Sequence, residues 1–258
     1  MSVHKVVIRL DFARACFALL DRAGAICDKL ADIPDVKADS GEKFFQQIQE
    51  STANRLFSGQ RKAADGSEFI LFQISPLNLA CHWELSTGIR FEDLGRDERV
   101  QKLMRFSYEL LTELKITKFS RAGIRFHYLG DFSSENKMEA LGKKFDADLL
   151  QHINRTLGSP TDYGFSVNGT GDDKIHYRLN FGPYFSDQES LRFFENVGPA
   201  MVGRKQDNLV FDLDLYEQNL VLQVNPSKWA TPLIDKAKRL VDGVIKSLDP
   251  GIDHGNVA

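Results

Sequence analysis

Arg121-Ala122-Gly123-Ile124-Arg125-Phe126-His127-Tyr128, near the middle of the chain, decides how the rest is read. Ile124, Phe126 and Tyr128 share one parity; Arg121, Gly123, Arg125 and His127 share the other. A period of two belongs to extended chain, so the stretch predicts a strand with one face in a core and the other lined by cations. Gly123, in the middle, leaves room for a close approach to the backbone or marks a bulge.

Reading outward, residues 97–114 predict an amphipathic helix, with Val100, Leu103, Met104, Ser107, Leu111 and Leu114 on its buried stripe. Before it, Phe69–Ile74 is apolar on both faces, as a central strand would be. Asp65-Gly66 is a hairpin turn signal just ahead of that strand, and Pro76 predicts a turn or bulge just after it. Residues 77–85 alternate again, with Leu77, Leu79, Cys81, Trp83 and Leu85 inward and Asn78, His82 and Glu84 outward. The chain opens with a strand from His4 to Phe12, placing Val6, Ile8, Leu10 and Phe12 on one side and Lys5, Arg9 and Asp11 on the other. A helix over residues 14–30 is then expected, with Phe17, Leu20, Gly24 and Cys27 as its stripe. The charged run 31–43 reads as an exposed connection, and residues 44–57 as extended in their latter part.

Downstream, 138–149 predicts a further helix, and 163–181 a hairpin around Asn-Gly-Thr-Gly-Asp-Asp with Ile175, Tyr177, Leu179 and Phe181 inward. Leu209–Leu215 is the last predicted strand, and Thr231-Pro232 the start of a closing helix. Hairpins dominate and no strand–helix–strand unit repeats, so the fold class is α+β: antiparallel β-sheet packed with amphipathic helices. We read residues 1–258 as a single domain, with two pseudo-repeated halves, 1–130 and 131–258, as a finer division.

Composition narrows the function classes. The 258 residues can bury a sizeable core, and 19 Phe against 2 Trp means that phenylalanine builds it. A net charge of −3 gives the whole molecule no bias towards polyanions, so nucleic acid is not an expected partner. Cys16, Cys27 and Cys81 are odd in number and lack metal-ligand spacing, as in a cytoplasmic protein with reduced thiols. No apolar run reaches the ~18 residues of a membrane span, and no signal-like segment is visible, so a soluble, cytoplasmic, non-membrane protein is expected. An open sheet edge would be compatible with a homodimer.

With these motifs in place, the chain resembles a sporadically distributed family of bacterial proteins of similar length, marked by a central R-x-G-[ILV]-R-Y-x-N motif. Arg121, Gly123, Ile124 and Arg125 match it; Phe126 stands where the family has Tyr, and Tyr128 where it has Asn. The resemblance extends to the opening Val-Val-Ile-Arg9-Leu-Asp11-Phe strand and to the late Leu-Val-Phe-Asp212-Leu-Asp214-Leu-Tyr216 strand. The family's closing motif, bearing Phe and Thr, is missing after Tyr216. The resemblance implies a fold and no particular activity.

If the polar faces of these strands share one side of a sheet, they gather Arg9, Asp11, His82, Glu84, Arg121, Arg125, His127, His176, Arg178, Asp212 and Asp214. One reading is a network of ion pairs on the polar side of the sheet. A second is an anion site formed by Arg9, Arg121, Arg125, His127, His176 and Arg178, since guanidinium groups in fixed geometry suit phosphate or carboxylate. A third is a surface for a partner protein. Asp212 and Asp214, roughly 7 Å apart on one strand face, are the candidate metal ligands, and with a histidine as base they would suit a metal-dependent enzyme of nucleotide or phosphoryl chemistry. No P-loop, dinucleotide fingerprint or nucleophile motif is present, so no cofactor or hydrolytic triad is implied.

Overall fold

In the computed structural model, residues 2–33, 43–51, 55–131, 155–156, 164–184, 208–221 and 226–248 are described. The predicted helix at 138–149 lies outside them. The strands are β1 (Ser2–Phe12), β2 (Gln47–Ser51), β3 (Leu56–Lys62), β4 (Glu68–Ile74), β5 (Asn78–Ile89), β6 (Lys118–Asp131), β7 (Phe165–Thr170), β8 (His176–Tyr184) and β9 (Asn208–Val221). All nine form one antiparallel sheet in the order β2-β3-β4-β5-β1-β6-β9-β8-β7. The helices among the described residues are α1 (Ala23–Asp32), α2 (Phe91–Leu94), α3 (Glu98–Glu113) and α4 (Pro226–Leu248). The chain is an α+β fold in which a large antiparallel sheet packs against helices.

Strand alternation decides which side the helices cover. Val6, Ile8 and Leu10 of β1, Cys81 and Trp83 of β5, Ile124 and Phe126 of β6, and Leu213 and Leu215 of β9 join one core with Ile26 of α1, Leu103 of α3 and Val241 of α4. Phenylalanine takes the part its abundance suggested. Tyr128, Phe211, Phe181 and Phe165 are successive register partners across β6, β9, β8 and β7. Their rings meet at 5.9, 5.5 and 4.6 Å between centroids, an aromatic ladder on the covered face. Each fully buried phenylalanine side chain contributes about 1.5–3 kcal/mol of hydrophobic stabilisation.

The central β1/β6 pair is a seam from which the order runs outward alike on both sides: β1, β5, β4, β3 on one and β6, β9, β8, β7 on the other. In each direction the strand nearest the seam comes first in sequence and its neighbour comes last, and a helix follows that neighbour.

Four local expectations need correction. Residues 17–22 form a 3₁₀ turn before α1, and Leu19, Ile26 and Leu30 are buried while Phe17 is 62% exposed. The tighter 3₁₀ repeat shifts the stripe that a continuous 3.6-residue period assigned to Phe17, Leu20, Gly24 and Cys27. Leu77 is likewise exposed, because the β4–β5 turn lifts it off the sheet before Asn78. β9 runs on to Val221, as its polar Glu217-Gln218-Asn219 segment is held by the long β6, with Arg121 opposite Gln218 and Lys118 opposite Val221. Finally, α4 begins at Pro226, with Pro232 inside it. Both prolines suit a first helical turn, and the earlier one takes it.

Candidate functional site

The register of β5, β1, β6, β9 and β8 places the side chains of the polar parity in rows. One row reads Glu84, Lys5, His127, Asp212, Asn180; the next reads His82, Val7, Arg125, Asp214, Arg178; a third reads Ala80, Arg9, Gly123, Tyr216, His176. Arg121 faces Asp11 on one side and Gln218 on the other. All eight candidates, Arg9, Arg121, Arg125, His127, His176, Arg178, Asp212 and Asp214, therefore share one sheet face across four neighbouring strands. They do not converge on a point. Arg9 and Arg178 stand on strands three spacings apart, roughly 14 Å between backbones.

Diagonal ion pairs tie the rows. Arg125 donates from Nε and Nη2 to the two carboxylate oxygens of Asp212, each at 2.6 Å. Arg121 donates from Nη2 to Oδ2 of Asp214 at 2.5 Å. Asn180 adds a 3.3 Å bond to Asp212, and His127 Nε2 lies 3.6 Å from it. Arg9 pairs with Asp11 on its own strand at 2.8 Å. Asp212 and Asp214 sit on β9, an interior strand, and each carboxylate accepts from a guanidinium. Among the described residues no cluster of three His, Cys, Asp or Glu is placed to hold a metal ion.

The central motif has a physical reading in this register. Arg121 and Arg125 grip Asp214 and Asp212, while between them a Cβ on Gly123 would come within 2.7 Å of Tyr216 Cβ and 3.0 Å of the Leu215 carbonyl. The three polar-face positions of Arg121-x-Gly123-x-Arg125 thus meet the three of Asp212-x-Asp214-x-Tyr216. Glycine is needed there because Tyr216 takes the space. The Tyr216 ring is flanked by the Arg121 guanidinium, 4.4 Å from its centroid, and by the stacked His176 ring at 5.0 Å.

Charge states follow from burial and pairing. Burial drives the His127 ring down to about 4; Asp212 opposes this, and Arg125 and Lys5 reinforce it, so the imidazole is neutral at neutral pH. Burial alone would raise the Asp212 carboxyl, but the Arg125 hydrogen bond and neighbouring cations outweigh it and hold the group below its ordinary value. For Asp214 burial prevails and lifts the carboxyl, with Arg121 as a partial offset.

Two members of the face depart from the outward placement. Glu84 is 1% exposed and Lys5 is 7% exposed, and they form an ion pair at 2.9 Å. Both sit on interior strands, in register with Phe69 and His127. A second polar network escaped the sequence altogether. Glu68, buried on β4, accepts from Trp83 Nε1 at 2.9 Å and from Arg99 Nη1 at 2.5 Å, while Arg99 also pairs with Asp97, the N-cap of α3. A glutamate at the mouth of a hairpin reads as exposed; nothing local foretells that a tryptophan and a helix end will close over it.

Two clefts lined by described residues, of about 630 and 380 Å³, contain none of the eight candidates. No described helix is long and apolar enough to cross a membrane. No family model, curated protein or solved structure matches the chain. Analogy at the level of the fold therefore adds nothing, and the side chains of the face carry the functional reading.

Proposed function

We propose that the chain is a cytoplasmic, non-enzymatic binding module whose polar sheet face takes a partner protein or an anionic ligand. The observation that carries this reading is the pairing of both β9 aspartates with arginines of β6. It makes the face a pre-organised lattice. Five cations (Lys5, Arg9, Arg121, Arg125, Arg178) meet four anions (Asp11, Glu84, Asp212, Asp214), so its net charge is small. Arg121, Tyr216 and His176 stack within it, and arginine and tyrosine are the residue types that anchor interfaces. Arg178, in register with Asp214, forms no hydrogen bond or ion pair with a described residue and offers its charge outward. Membership of the family that the central motif resembles belongs to the same proposal, supported by the way Arg121, Gly123 and Arg125 all address β9.

The alternative, a metal-dependent enzyme of nucleotide or phosphoryl chemistry, would need Asp212 and Asp214 free for a cation and a histidine basic enough to take a proton near pH 7. Guanidinium pairing and a His127 ring at about 4 favour the binding module. A thermal-shift series separates the two. Adding Mg²⁺ or Mn²⁺ should leave the melting temperature unchanged, with nucleotide or without it, because a metal held by the native state must raise it. Stabilisation that disappears in Asp212→Asn would establish the enzyme reading instead. In parallel, Arg178→Glu should abolish retention of any partner captured by the wild-type chain without lowering its melting temperature.

A further inference from the structure

Away from the polar face, at the end of the sheet, residues 13–18 and 114–118 line the 630 Å³ cleft. Here β1 gives way to the 3₁₀ turn and α3 gives way to β6. Arg14, Lys115 and Lys118 belong to this lining, and neither segment contains an acidic residue. None of the three cations forms an ion pair or side-chain hydrogen bond with a described residue. Some exposed cations elsewhere have carboxylate partners, as Lys236 has in Asp173 and Lys238 in Glu92. The apolar part of the lining is Cys16, Leu114, Ile116 and the exposed Phe17 ring.

Lys115 is held in place by an unusual helix ending. Its N–H bonds the Thr112 carbonyl at 3.0 Å, the Ile116 N–H bonds the Leu111 carbonyl at 2.8 Å, and Lys115 itself has φ +54°. That is the Schellman pattern, with lysine at the left-handed position where glycine is the ordinary choice. Attraction to the negative end of α3 accounts for a cation at Lys115. It does not account for Arg14, which follows β1, or for Lys118, which opens β6.

We propose that this cleft binds a small organic dianion: a phosphate monoester on a planar apolar body. The phosphate sits among Arg14, Lys115 and Lys118, and the body lies against Phe17. Three positive charges with no counter-charge among the described residues of the lining favour a doubly charged ligand over a singly charged one, and a guanidinium with two ammonium groups supplies one forked donor and two point charges. The volume falls within the ~300–1,000 Å³ of small-molecule sites.

Calorimetric titration of the full chain with phenyl phosphate, and with inorganic phosphate for comparison, tests the proposal. Phenyl phosphate should bind saturably and more tightly than inorganic phosphate, and Phe17→Ala should remove that preference. Lys115→Gly is the informative variant. It removes the charge yet gives the left-handed position its preferred residue, so the melting temperature should rise by about 2–4 °C while affinity falls about tenfold or more. Arg14→Ala, at an exposed position, should weaken binding to a similar degree at unchanged melting temperature. Absence of saturable phenyl phosphate binding, equal affinity for the two probes, or wild-type affinity in Lys115→Gly or Arg14→Ala overturns it.

Discussion

Single residues on the sheet faces already make distinct predictions. Gly123→Ala would push a Cβ to within 2.7 Å of Tyr216, with the Leu215 carbonyl at 3.0 Å as a second obstacle. Because part of that contact is backbone, the strands must shift. A loss of about 1–3 kcal/mol in urea unfolding is expected, and wild-type stability in the variant would show that Tyr216 is not packed there. His127 has a pH signature. Its folded-state value, about 4, lies below the 6.5 of the free side chain. Between those values the unfolded chain accepts a proton that the folded chain refuses. Stability therefore falls as pH drops from 6.5 to 4, by about 3 kcal/mol in all, with no contribution above that window and no further slope below it. His127→Phe should flatten that part of the stability profile; parallel profiles for the two proteins would contradict the assignment. Cys81 is fully buried beside Ser107, and burial pushes its thiol up to about 12. A thiol-disulfide reagent at pH 8 should leave Cys81 unmodified in the native protein and label it only after denaturation.

At the level of elements, the Glu68 network joins three pieces: the mouth of the β3–β4 hairpin, Trp83 on β5 and the first turn of α3. Glu68→Ala would strand the Trp83 N–H and take from Arg99 one of its two carboxylate partners. A loss of about 2–4 kcal/mol by chemical denaturation follows from breaking a buried polar network, and a loss below 0.5 kcal/mol would mean that the network is solvated. Legibility in the sequence divides along the same physical line. β1, β5, β6, β8 and α3 were readable because each has one face in the core, and burial writes a period of two or 3.6 into the residues; β4 was readable as a run apolar on both faces. The shared face of Arg121, Arg125, Asp212 and Asp214 was readable for the same reason: parity fixes the side even when the partner strand is unknown. Parity does not give register, so the diagonal pairing of Arg125 with Asp212, in place of its direct neighbour Asp214, was not accessible. Nor were burial of Lys5 and Glu84, the 3₁₀ turn at Phe17, the run of β9 to Val221 or the early start of α4. The reach of β9 depends on β6, a neighbour distant in sequence.

For the whole molecule, the β1/β6 seam is the decisive feature. The core runs unbroken from Phe57 and Phe72 on one side of it to Phe211 and Leu179 on the other, with α3 and α4 over it. The two sides follow the same outward strand order, yet neither has a core closed off from the other. Thermal unfolding is therefore expected as one cooperative transition, with far-ultraviolet circular dichroism and tryptophan fluorescence changing together; two separated transitions would show that the halves fold independently. The functional account depends on the β6 arginines and β9 aspartates being partners on one face. A double-mutant cycle on Arg125→Ala and Asp212→Ala, read by urea unfolding, measures that partnership directly. The bidentate geometry predicts a coupling of about 1 kcal/mol or more, whereas effects that simply add, to within about 0.3 kcal/mol, would contradict it.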